Sequence, residues 1–147
     1  MPSLLDRSIQ GQDWQREAGA VGSPIASRAA TRNGPAARKD QREVERWEAV
    51  VNELVRMQHL GDNWDGLGAT APSGELLASA VGLAYLFKED GVEAPTRVVP
   101  GTDGAVIFEW QFPDGSYGEI EVIRPLFAEA MLVEPGKPAR HWVLPNA

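Results

Sequence analysis

The sequence predicts an α+β fold in which two helices pack on one face of a three- to four-stranded antiparallel meander, preceded by a disordered N-terminal arm. Three observations predict it. Apolar residues recur at helical spacing from Val44 to Met57 and again from Leu76 to Phe87. From Thr96 onward the period shortens to two, as in half-buried strands. Before Asp40 no period is sustained. A chain of 147 residues with 43% apolar content suits one core, so the expected division is an arm at 1–39 and a single α+β domain at 40–147.

Ala, Gly, Ser and Pro dominate the arm, and beyond the initial Met its large apolar side chains are Leu4, Leu5, Ile9, Trp14, Val21 and Ile25. The first helix carries a stripe of Val44, Trp47, Val50, Val51, Leu54 and Met57, with Arg and Glu on the other face. Asp40 is the expected N-cap, with Glu43 reaching back as in a capping box, and Gly61 is the expected terminator. The second helix starts after Pro72 with Ser73 as N-cap and Glu75 in its first turn. It is expected to bury Leu76, Leu77, Ala80, Leu83, Ala84 and Phe87 against the sheet before the KEDG terminator. TRVVP, AVIFEWQF, SYGEIEVIR and EAMLVEP read as strands, the first three joined by GTDG and PDG, whose Asp-Gly pairs suit tight reversals. In AVIFEWQF, Val106, Phe108, Trp110 and Phe112 share one face and Glu109 and Gln111 the other. The tail ARHWVLPNA fits either an edge strand or a rim packed by Trp142.

Charge separates arm from domain. Six basic groups face four acidic ones in residues 1–40, which leaves eight against seventeen in residues 41–147. An acidic domain disfavours unaided contact with nucleic acid or anionic lipid and favours a basic partner. The absence of cysteine excludes disulfides, thiolate metal sites and cysteine nucleophiles together. MPSLLDRS is not built like a secretory leader, and LLASAVGLAYLF is too short to span a bilayer, so a cytoplasmic location is expected, with no membrane contact.

The most distinctive stretch is LGDNWDGLGATAPS, residues 60–73. Asn63 and Asp65 suit Asx-turns, Gly66 and Gly68 suit positive φ, and Trp64 is expected to turn inward as a plug between the helices. Known functional spacings fail. A calcium hand counted from Gly61 finds Gly at its first position and Pro72 where the bidentate Glu belongs, and GxxxxGK[ST] occurs nowhere. No metal or cofactor is expected. His59 and His141 are the available neutral-pH bases, His59 at the end of the first helix where a cation is commonplace. Glu109, Glu119 and Glu121 are expected to neighbour one another on adjacent strands, as solvated charges of an open sheet face.

With these elements placed, the chain resembles a group of small, largely uncharacterised bacterial proteins. They carry an Asn-Trp-Asp-Gly-aromatic-Gly-Ala loop, then a Pro and a helix, then a strand ending in Glu-Trp and another rich in Ile-Glu. Here those elements are Asn63 to Ala69, Pro72, Glu109 with Trp110, and Glu119 to Val122. Leu67 stands where the aromatic would be. The resemblance spans residues 57–124 and implies the fold and the loop, but no reaction.

The candidate binding residues are therefore Asn63, Trp64, Asp65, Gly66, Gly68, Glu109 and Trp110. The function expected is a non-enzymatic bacterial protein-interaction module, either an antitoxin-like or immunity-like neutraliser or an accessory subunit, with a basic protein as partner or a second copy of itself. Two alternatives stand beside it. One is a small hydrolase using Asp62 or Asp65 with Glu109 beside a pocket gated by Trp64, and the other is a nucleic-acid binder acting through the basic arm.

Overall fold

A computed structural model describes residues 37–145. The disordered arm expected before Asp40 lies outside the described residues at positions 1–36. Two helices, α1 (Ala37–Met57) and α2 (Gly74–Glu89), precede five strands, β1 (Arg97–Pro100), β2 (Val106–Gln111), β3 (Tyr117–Arg124), β4 (Phe127–Val133) and β5 (Arg140–Pro145). Each strand pairs antiparallel with the next, giving the order β1-β2-β3-β4-β5. The meander thus has five strands where three to four were expected. The fifth is the tail, where buried Trp142 and Leu144 alternate with exposed His141 and Val143. Two inward residues beside prolines are a weak strand signal, and pairing with β4 decides the outcome.

The first helix buries Trp47, Val50, Leu54 and Met57, as its stripe requires. Its ends differ from expectation. The helix is already wound at Ala37, so Asp40 lies inside it rather than at a cap. Glu43 does not reach back along its own helix. It accepts the backbone N–H of Ala94 and pairs with Arg46. The C-terminus unwinds through three consecutive i→i−3 bonds, from the N–H groups of Gln58, His59 and Leu60 to Val55, Arg56 and Met57, before Gly61 is reached.

In α2, Ser73 is the N-cap, its Oγ accepting Leu76 N–H at 3.1 Å, and the six residues expected inside are buried. This helix packs on β2 and β3, while α1 packs on β1 and on α2.

The connector between α2 and β1 is held by the core's own polar tips. Trp47 Nε1 donates to Val92 O at 3.1 Å and Trp110 Nε1 to Glu93 O at 2.8 Å. Arg46 donates to Ala94 O at 2.9 Å. Irregular backbone buried beside a core must find such partners, and two tryptophans and an arginine supply them.

The sheet's inner face carries Val106, Phe108, Trp110, Ile120, Val122, Ala130, Leu132 and Leu144 into the core. Its outer face is crossed by two rows set by the register. One runs Arg97, Glu109, Glu119, Met131, His141, and the other Val99, Ile107, Glu121, Glu129, Val143. Among the described residues no helix is long and apolar enough to cross a membrane.

Candidate functional site

The sequence-derived candidates fall in three places. Asn63, Trp64, Asp65, Gly66 and Gly68 form the α1–α2 loop, Glu109 lies on the outer sheet face, and Trp110 lies in the core. Glu109 and Trp110 are adjacent in a strand and so point to opposite faces.

The loop is closed by its own side chains. Asn63 sits at φ 65° and donates its N–H to Ala69 O at 2.6 Å, while its Oδ1 accepts Gly68 N–H at 2.7 Å. One oxygen of Asp65 accepts the N–H groups of Leu67 at 2.8 Å and Ala69 at 3.0 Å. These two bonds hold the Asp65 carboxyl below its ordinary pKa, so it is ionised at neutral pH. Asp62 accepts Ala71 N–H at 3.1 Å. Gly66 and Gly68 adopt φ of 77° and 93°, where any Cβ would be strained. Thr70 then ties the loop to the β1–β2 turn by donating its N–H to Thr102 O at 2.9 Å. The loop carboxylates are thus committed to backbone amides, which leaves little for acid/base chemistry.

Trp64 is not the plug expected between the helices. It is only half-buried, lies outside the core, and donates Nε1 to Thr70 O at 3.2 Å, bracing its own loop. Local hydrogen bonding does the fastening that deep burial was expected to do. Trp64→Ala is accordingly expected to cost about 1–2 kcal/mol, the sum of a partial burial and one hydrogen bond, measurable by denaturant melts. Leu67, where an aromatic was looked for, is 88% exposed at the loop tip.

The outer sheet face gathers more chemistry. Glu109 stands directly opposite Glu119, and Glu121 opposite Glu129. Glu109 is not a solvated charge: the residue is 7% exposed and its carboxylate pairs with Arg97 Nε from β1. Tyr117 donates its hydroxyl to Glu119 at 2.8 Å, and burial keeps that phenol protonated well above its usual range. Half-buried Ile107 and Met131 lie between the carboxylates. Arg97, Tyr117, Glu129 and Met131 were not singled out from sequence. Each is unremarkable alone, and only the strand register assembles them.

Partial burial, together with the charges of Asp103, Glu119 and Glu129, raises the Glu121 carboxyl above its ordinary 4.5. Among the described residues no ion pair reaches Glu121 or Glu129. An acid whose folded-state pKa is raised binds its proton more tightly folded than unfolded. Its contribution therefore stabilises the fold progressively as pH falls through the folded pKa toward the ordinary value, and disfavours it above. Glu121→Gln should stabilise the protein at pH 7 by about 0.5 kcal/mol after allowing for solvent screening, and the gain should shrink as pH falls toward the ordinary carboxylate range. Melting curves at pH 7 and in that range check this.

An open groove of about 350 Å³ lies between the two helices, lined by Trp47, Glu48, Val51, Asn52, Tyr85 and Lys88, among others.

Comparison with protein-family models, with curated proteins and with solved structures finds no match. The resemblance of the loop rests on its motif residues alone.

Proposed function

We propose that this chain is a non-catalytic protein-interaction module that docks a cationic protein surface on the outer face of its sheet. It would serve as neutraliser or accessory subunit of that partner. The observation that carries this reading is the crowding of Glu119, Glu121 and Glu129 on adjacent strands around half-buried apolar groups, with Glu121 held above its ordinary pKa. Like charges on neighbouring strands cost stability, and a cation supplied from outside would relieve that cost while covering Ile107 and Met131.

Arg97 and His141 bracket one row at its two ends, and Arg124 stacks over Phe127 at 3.9 Å. The centre is left to carboxylates and apolar side chains. That composition, an apolar middle with charges of one sign, suits an Arg-rich protein segment. It disfavours nucleic acid or anionic lipid by direct repulsion. The Asn63 loop is tied to the β1–β2 turn through Thr70, and Leu67 at its tip is exposed.

The test is binding of an Arg-rich amphipathic peptide to the protein and to the double variant Glu121→Gln/Glu129→Gln. Affinity should fall at least tenfold in the variant and fall steeply with salt in the parent.

A further inference from the structure

The open groove between α1 and α2 runs between two rows of side chains. On α1 the row is Val44, Glu48, Val51 and Val55, spaced by four, three and four residues. On α2 it is Ala78, Val81, Tyr85 and Lys88, spaced by three, four and three. Alternating steps of three and four keep a row on one side of a helix, and they are the spacing with which helices pack side by side in bundles. Both rows lie beside the buried stripes rather than in them. Val44, Val51 and Val81 are half-buried, while Val55 is 43% and Tyr85 49% exposed. The sheet packs on the other side of the helices, so these rows face away from the outer sheet face.

The two helices run antiparallel, because Glu48 and Val51 from the first half of α1 line the groove together with Tyr85 and Lys88 from the end of α2. Glu48 is thus level with Lys88 and Val51 with Tyr85, and an equal rise along each helix sets Val55 level with Val81. Among the described residues neither Glu48 nor Lys88 enters an ion pair.

We propose that this helical face binds a second copy of the same chain, α1 of each protomer packing antiparallel on α2 of the other about a two-fold axis parallel to the helices. Each residue then meets the other copy at its own level. Glu48 faces Lys88 of the partner subunit, an ion pair made twice, and Val51 and Val55 face apolar side chains. Charge complementarity selects this arrangement. A two-fold axis perpendicular to the helices would lay α1 on its own copy, setting Glu48 against a valine and Lys88 against another, so that four charges would enter the interface unpaired. The face is about 24 Å long and about 20 Å wide, at the small end for a stable interface, so association in the micromolar range is expected.

The test is sedimentation equilibrium of the full-length protein between about 1 and 500 µM, where a reversible monomer–dimer step is expected. Monomer mass throughout would overturn the proposal. Glu48→Lys and Lys88→Glu each set like charges against one another across the two-fold and should weaken association about tenfold. Both side chains are exposed, so neither change disturbs the core. The double variant Glu48→Lys/Lys88→Glu restores opposite charges and should recover the parental constant to within about threefold. A double variant as weak as the single ones would overturn the arrangement. Val55→Lys, also at an exposed position, should weaken the dimer about tenfold, and an unchanged constant would place the contact on another surface and overturn the proposal.

Discussion

Trp110→Ala should cost about 4–5 kcal/mol, a large share of the protein's stability. The indole is 2% exposed, meets Phe87 edge-on at 6.1 Å and stacks near Phe108 at 6.4 Å, so its removal opens a large cavity between α2 and the sheet. The same change leaves Glu93 O without its donor in a connector that has no ladder of its own. Trp110→Phe keeps most of the packing and loses that bond, and should cost about 2 kcal/mol. Denaturant melts separate the two, because a domain of this size has about 5–15 kcal/mol in hand. Equal losses in the two variants would mean that the hydrogen bond, rather than the packing, carries the effect.

Trp47→Ala should cost about 3–5 kcal/mol by a related route. Trp47 is 2% exposed on α1 and donates to Val92 O, so it fastens the first helix to the chain leaving the second. Glu43 and Arg46 grip Ala94 one turn earlier and should hold that end of α1 in place after the loss. Amide exchange should therefore accelerate from Val50 to Met57 more than near Glu43. Uniform acceleration along α1 would show that Trp47 and the charged grip act as one unit.

Much of this fold was legible because local and tertiary preferences agree. Ser73 caps α2 as its position before an apolar run demands, and the alternation in β2 puts Val106, Phe108 and Trp110 inside. Legibility failed where a local pattern was satisfied by a distant partner. Asp40 and Glu43 have capping-box spacing, yet Glu43 serves Ala94, 51 residues away. Glu109 alternates outward as predicted, but its burial depends on neighbouring strands and on Arg97, which periodicity does not describe. Within the loop, Asn63, Asp65, Gly66 and Gly68 were readable because each acts on its own backbone. Trp64 was misjudged because the side-chain and backbone bonds of the loop left it little burial to provide. The outer carboxylate face is a product of register, so Glu129 and Met131 came into view only once β4 was aligned on β3.

The outer sheet face is proposed as a cation-accepting surface. Its most direct test is an amide chemical-shift titration of the full-length protein with an Arg-rich amphipathic peptide, run in parallel on Glu121→Gln/Glu129→Gln. Saturable shifts confined to β2, β3 and β4 residues such as Ile107, Glu119, Glu121, Glu129 and Met131, lost in the variant and at 0.5 M salt (a Debye length of about 4 Å), are the expected result. Shifts that persist in the variant, or that map to the α1–α2 groove instead, would contradict it.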